Sequence, residues 1–376
     1  MPKLPPAVSS LVRAGPSTAR LTNRGLVSVV GLQATDWLNG ILASTVPNPP
    51  TGHFFTAILQ AHASTIPILH DAFVYSHPTS NGYILEYDSR PPITDVDPEA
   101  EGHSIPVPPL IKYLKQFVLR TKVKVRDVSD EYDVWASWGS EREESWETPR
   151  KWRWAEKSNI PEQLWEKGDT PWGNEPLVLR DRRGVGMGQR RLINKGVKPP
   201  EIGTHNTVTE EDYTIHRIVR GVPEGSREII PGASFPMEAN LDVMGGVDFR
   251  KGCYIGQELT VRTYHTGVIR KRIFPVALHE PNKLLEEAGD LIPKTPTDKT
   301  IKPLVLDAGG DIRKPRGTGK LLNSVNGIGL ALLRTDHLEA VDKGGVGLVI
   351  GEGPEQRRVS YWYPDWWPRK AEEQAQ

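Results

Sequence analysis

Three β-rich runs follow one another with no helical stretch between them: "FFTAIL" at 54–59, "ILHDAFVYS" at 68–76 and "GYILEYD" at 82–88. The Asn81-Gly82 pair marks a turn between the last two. Before them, "RGLVSVVG" at 24–31 reads as a strand closed by glycine, and "LQATDWLNGIL" as a helix. Thr35 or Asp36 is placed to cap that helix, and Trp37, Leu38, Ile41 and Leu42 fall on one face. A Pro- and Asp-rich loop at 91–109 follows, then an amphipathic helix in "LIKYLKQFVLR" and a return to strand in "VKVRDVSDEYDVWASWG". Strands mixed with helices in this order argue for α+β layers rather than a repeated βα array. Later come "LVLRDRRGVGMGQRRLI", a strand with a very basic turn, and helical spacing around "EEDYTIHRIVRGVPEG". From Ile273 onward short strands broken by Gly and Pro predict a small all-β barrel or sandwich. Three regions result: a basic tail at 1–19, an α+β region at 20–272 and a C-terminal β-domain at 273–376.

Residues 139–172 stand apart. They are rich in Glu, Lys, Arg and Trp, and seven of the eleven tryptophans lie between Trp135 and Trp172. The stretch reads as a surface excursion whose indoles dock on the body, or else serve a partner surface. The tail has its own composition. Lys3, Arg13, Arg20 and Arg24 precede the first acid, Asp36, with Ser9, Ser10, Ser17 and Thr18 among them. Basic, hydroxyl-rich and acid-free is the composition of an organelle transit peptide or its remnant; a plain disordered terminus has it too.

Several function classes drop out. Formal net charge is zero, so no global field points to nucleic acid. No run of about 18 apolar residues is present, so nothing reads as a membrane span. A single cysteine excludes an intramolecular disulfide framework and a zinc site built from several thiolates. The glycines at 184, 186 and 188 lack the dinucleotide spacing, and "GTGK" at 317–320 lacks the rest of a P-loop. His53, His62, His70 and His77 have no metal-site spacing.

That single thiol, Cys253, sits in "RKGCYIGQELTVRTYHTGVIRKR", among Arg250, Lys251, Arg262, Arg270, Lys271 and Arg272, with Glu258 the one acid. One reading is a small buried hydrophobe. The other is a thiolate, favoured by Arg250, Lys251 and a helix beginning near Gly256. In that case it attacks, is oxidised or ligates iron, and further cluster ligands must come from a partner chain. Gly252 and Gly256 bracket the site and let backbone approach closely. Two basic groups, Arg182, Arg183, Arg190 and Arg191 and then Arg262, Arg270, Lys271 and Arg272, would suit a ligand with a carboxylate tail if they converge on one cavity.

Residues 236–272, "PMEANLDVMGGVDFRKGCYIGQELTVRTYHTGVIRKR", resemble the signature of the YgfZ-related folate-binding proteins, relatives of the glycine-cleavage T-protein. The K-G-C-[YF]-x-G-Q-E core is the specific part. "RGLVSVVGLQATDWLNGIL", "DYTIHRIVRGVPEG", "GTGKLLNSVNGIGLALLR" and the Trp366-Trp367-Pro368 ending extend the likeness over much of the chain. The resemblance implies ferredoxin-like α+β subdomains around a folate-type cavity, closed by a C-terminal β-barrel. It implies that Lys251, Gly252, Cys253, Tyr254, Gly256, Gln257, Glu258 and Arg262 form the functional motif.

For function, the resemblance implies a mitochondrial matrix factor for maturation of [4Fe–4S] proteins. It would act with an A-type cluster carrier, share a transient [2Fe–2S] cluster through Cys253, and hold tetrahydrofolate with Arg182, Arg183 and Arg270. The alternative is a tetrahydrofolate-dependent aminomethyl transferase. Two departures bear on it. In "RIVRG", 217–221, Val219 stands where the transferases carry a folate-contacting glutamate, and "QAHASTIPILHD", 60–71, replaces the family's Q-G-R loop.

Overall fold

The computed structural model describes residues 6–9, 11–12, 15–60, 67–91, 108–147, 150–165, 170–280, 291–306 and 315–369. Lys3 and Arg13 of the basic tail, residues 61–66 of the altered loop and residues 92–107 of the Pro- and Asp-rich loop lie outside them. Two compact units are distinguished, and each is taken alone.

The first comprises the described residues of Gly15–Glu210 and Glu224–Val268. One five-stranded sheet runs in the order Phe54–Leu59, Ile68–Ser76, Gly82–Asp88, Arg24–Val30, Lys124–Asp127, every pair antiparallel. The three consecutive runs of the sequence are thus neighbours in space. Phe54–Leu59 is buried at every position, which is why it is apolar but for Thr56, whose hydroxyl accepts from the Ser44 amide, instead of alternating. A second five-stranded sheet runs Val178–Arg180, Gln189–Asn194, Tyr132–Trp138, Ser17–Leu21, Asn206–Val208. Only its last pair, with Ser17 opposite Asn206, is parallel.

"VKVRDVSDEYDVWASWG" is therefore two strands, Lys124–Asp127 and Tyr132–Trp138, in different sheets. The helix Ala34–Asn39 is shorter than its apolar spacing predicts, though Trp37, Leu38, Ile41 and Leu42 are all buried. Neither Thr35 nor Asp36 caps it. Gln33 holds the cap position without a side-chain bond to the helix, Thr35 hydrogen-bonds Tyr83, and Asp36 lies in the first turn, where the helix dipole favours an acid.

The Trp-rich excursion carries a two-stranded hairpin, Lys151–Trp154 with Pro161–Leu164. Trp135, Trp138 and Trp172 are buried, while Trp146 and Trp165 lie beneath the guanidiniums of Arg180 and Arg182, at 5.0 Å and 5.4 Å. These five indoles pack against the unit itself.

The second unit joins Ile269–Trp367 to Glu211–Pro223. Its strands close a six-stranded barrel in the order Lys271–His279, Ile328–Arg334, Gly319–Val325, Thr300–Val305, Val346–Ile350, Arg357–Tyr361. The last strand pairs back on the first, so no edge is left open. Phe274, Val276, Ile301, Leu321, Leu333 and Leu348 fill the interior. The association of 211–223 with the barrel is marked by no boundary in the sequence. Two indoles hold it: Trp362 Nε1 donates to the Val219 carbonyl at 3.1 Å and Trp366 Nε1 to the Arg220 carbonyl at 2.8 Å. These carbonyls end the helix Glu210–Val219 and have no partner within it. Gly221 turns the chain there at φ 64°, and a Cβ in its place would collide with Pro364.

Candidate functional site

Residues 248–256 form a loop that runs into the helix Gln257–Thr266. The loop is stitched along 39–45, the stretch that follows the helix Ala34–Asn39. The Asp248 amide donates to the Ala43 carbonyl and the Ile255 amide to the Gly40 carbonyl, each at 2.9 Å. Thr45 hydrogen-bonds the Asp248 carboxylate. Between these stitches the Lys251 ammonium donates to three carbonyls, Asn39 at 2.8 Å, Leu42 at 2.6 Å and Ser44 at 3.1 Å. The Asn39 carbonyl is one that the helix C-terminus leaves without a partner in the helix, and a cation suits that end of the dipole. Burial draws the Lys251 pKa down to about 8, with Asp248 opposing it. The ammonium also lies 4.9 Å from the Tyr254 ring centroid.

Cys253 is exposed on this pinned loop. A buried structural cysteine is thereby ruled out. The two cations expected to favour its thiolate are engaged elsewhere: Lys251 with the three carbonyls, Arg250 with Glu162 at 2.8 Å and 3.1 Å. The glycines divide likewise. Gly256 stands at φ 78° just before the helix and needs to be glycine. Gly252 has no such φ, and a Cβ there would meet nothing within 4 Å. No neighbour among the described residues requires glycine at 252. Tyr254 is buried, and burial pushes its hydroxyl pKa up. Gln257 Oε1 accepts from the Tyr254 amide at 3.3 Å. Glu258 and Arg262 are exposed on the helix.

The inner side of the same loop walls a cleft of about 390 Å³. Asp248, Phe249 and Arg250 line it, opposite Glu162, Gln163 and Trp165 of the excursion hairpin. Glu162 gathers Arg153 at 2.6 Å, Arg250 and the Tyr264 hydroxyl. Burial, aided by Asp248, raises its pKa more than Arg153 lowers it. Phe249 and Tyr264 stack at 4.3 Å. Both amide atoms of Gln163 are buried without a partner among the described residues, so a ligand with an acceptor beside a donor would satisfy them. A second cavity, about 370 Å³, is lined by His70, Asp71, Tyr87, Asp88 and Arg90. Burial holds His70 neutral, with a pKa of about 4, and its Nε2 has no partner among the described residues.

Arg182 and Arg183 line neither cavity. Both are buried. Arg182 binds Glu147 at 2.9 Å. Arg183 binds Asp181 and Glu224, each at 2.7 Å, and Arg190 binds Glu224 at 3.0 Å and also Glu86. Arg24 joins Glu86 at 2.7 Å. The Phe73 ring lies 4.5 Å and 4.2 Å from the Arg183 and Arg190 guanidiniums. Arg191 binds Glu201 at 2.8 Å. The arginines of the first basic group are thus each paired with carboxylates of the chain itself. Arg270 is exposed and belongs to the barrel unit.

Residues 270–369 match the CAF17 C-terminal β-barrel domain family. An iron–sulfur cluster assembly factor IBA57 homolog, mitochondrial, from Cryptococcus neoformans var. neoformans is 36% identical over 352 residues, covering 87% of this chain and 85% of that one. The chain belongs to the IBA57 family. A second IBA57 homolog, from Neosartorya fischeri, is 35% identical over 375 residues, covering 92% of this chain and 76% of its own. The crystal structure of the glycine cleavage system aminomethyltransferase T from Bartonella henselae superposes with a TM-score of 0.58 over 96% of this chain and 88% of that one. Identity there is 11%, so the likeness is one of fold. A T-type fold and a closed terminal barrel agree with what the signature resemblance implies.

In this IBA57-family chain the signature residues 251–257 do come together, as one loop and helix start. Glu162, Trp165 and Tyr264 were not marked by sequence reasoning. Glu162 lies 88 positions from its partner Arg250, and nothing in "IPEQLW" sets it apart. Asp248 and Phe249 had a signal, since they stand directly before the motif.

Proposed function

We propose that this chain serves iron–sulfur cluster assembly in the mitochondrial matrix, with Cys253 lending its thiolate to a cluster in transit. The reading rests on one observation beside the family membership: the only thiol is exposed on a loop whose backbone is fixed at both ends. An exposed, positioned thiol suits a ligand that must meet iron held by another chain. Among the described residues no three His, Cys, Asp or Glu side chains could hold a metal ion together. The other iron ligands therefore come from the partner, an A-type carrier bringing a [2Fe–2S] unit destined for [4Fe–4S] proteins. The rival transferase reading has the T-type fold in its favour. Against it stands Val219, a buried apolar side chain where an acid is expected.

The test is to mix the chain with a [2Fe–2S]-loaded A-type carrier and record visible circular dichroism. The wild-type spectrum should change on mixing. Cys253→Ser and Cys253→Ala should both leave the carrier's spectrum as it is, at wild-type melting temperature, because serine's hydroxyl stays protonated and ligates iron poorly. Equal spectral changes with all three chains would remove the thiol from the mechanism. Repeating the titration with tetrahydrofolate tests the folate site, for which the two cavities are candidates beside Arg182, Arg183 and Arg270.

A further inference from the structure

Leu32 and Leu119 are 81% and 84% exposed, more than any other large hydrophobic side chain among the described residues. They stand on adjoining loops. The Lys122 amide donates to Gln33 Oε1 at 2.7 Å, and Trp37 Nε1 donates to the Phe117 carbonyl at 3.0 Å. Gly31 lies so near the Lys122 carbonyl that a Cβ would collide with it. Half-buried Phe117 and Val118 extend the apolar surface. Two leucines this exposed on loops tied together by hydrogen bonds leave apolar surface in water that docking would cover.

The surroundings are cationic. From 108 to 126 there is no Asp or Glu. Lys112, Lys115, Arg120, Lys122 and Lys124 are exposed, and none makes an ion pair among the described residues. The helix Leu110–Lys115 packs against the edge strand Lys124–Asp127, which brings the cations of both elements into one region of the surface. The nearby charges of other kinds are few. Arg126 is paired with Glu131, Asp127 accepts from the Ser129 amide, and Asp36, in the first turn of the helix Ala34–Asn39, is the one exposed acid between 31 and 37. A lysine on an edge strand blunts strand addition, which accounts for Lys124 but not for the leucines.

We propose that this face docks on anionic phospholipid, with Leu32 and Leu119 entering the acyl boundary and the five cations lying over the headgroups. Composition decides between a bilayer and an acidic protein. Four of the five cations are lysines, which specific protein interfaces deplete in favour of arginine and aromatics. Point charges on flexible stems suit a diffuse layer of phosphates, and clusters of four to eight of them mark such surfaces. The apolar part consists of aliphatic tips, as for a shallow interfacial anchor. No helix among the described residues is long and apolar enough to cross the membrane, so the attachment is peripheral.

Sedimentation of the full chain with vesicles tests this. Equal parts of phosphatidylcholine and phosphatidylglycerol should carry the protein down, and phosphatidylcholine alone should not. Raising salt should release it. Lys122→Ala with Lys124→Ala should weaken binding about fivefold per charge. Leu32→Ser with Leu119→Ser should weaken it at least about tenfold and leave the salt dependence unchanged. All four side chains are exposed, so the variants should melt with the wild type. No sedimentation at low salt would overturn the proposal. So would full binding by the leucine variant, or binding to polyglutamate in the absence of any binding to vesicles.

Discussion

Gly256 and Gly252 flank the same cysteine and carry opposite demands. Gly256 lies in the left-handed region at φ 78°, where an L side chain is strained by roughly 1 kcal/mol or a little more. Gly252 has open space around it and ordinary backbone. Gly256→Ala should therefore lower the melting temperature by several degrees, while Gly252→Ala should leave it unchanged or raise it slightly. Differential scanning calorimetry distinguishes the two, and equal melting of both variants would contradict the assignment. The sequence alone does not separate them. Both glycines read as close-approach positions, and which one has positive φ depends on where the following helix starts.

At the level of elements, the signature is a loop clipped to another loop. Lys251 is the clip. Lys251→Met keeps the stem but removes the donor to the carbonyls of Asn39, Leu42 and Ser44. The cost should be about 2 kcal/mol, as for hydrogen bonds to a charged group. Its signature is local: the Asp248 and Ile255 amides, which donate to Ala43 and Gly40, should exchange faster with deuterium, and amides of the closed barrel should not. Uniform protection across the protein would show that the clip is dispensable. Much of this scale was legible beforehand. "ILHDAFVYS" and "GYILEYD" became strands with the bounds their β-branched and aromatic runs suggest. The helix "LIKYLKQFVLR" shrank to Leu110–Lys115 because its later residues serve Trp37 and the exposed loop instead. The arginines of the 180–191 turn read as solvated or ligand-binding. Their partners Glu86 and Glu224 lie 104 and 34 positions from Arg190, so no local pattern reveals the pairing.

Those arginines matter most for the molecule as a whole. Glu224 receives Arg183 and Arg190, with Arg24 at 3.5 Å, all buried. Arg24 belongs to one five-stranded sheet and Arg190 to the other, so this carboxylate neutralises charge from both. Glu224→Gln preserves shape and removes the charge. Breaking a buried pair in this way typically costs about 3 to 5 kcal/mol, because the surviving cations stay desolvated. The urea midpoint should fall steeply; an unchanged midpoint would mean that Glu86, Asp181 and Asp71 suffice. Connectivity sets a second condition on the same unit. Ser17–Leu21 is an interior strand, with Trp138 opposite Ser17 on one side and Asn206 on the other. Both partners lie later in the sequence, so neither exists when this strand leaves the ribosome. More than a hundred residues must be synthesised before one flank can pair, and nearly two hundred before both can. Loop closure over such distances is slow. The strand therefore stays unpaired while those residues are made, and a chaperone that holds it extended until then should raise the yield of folded protein.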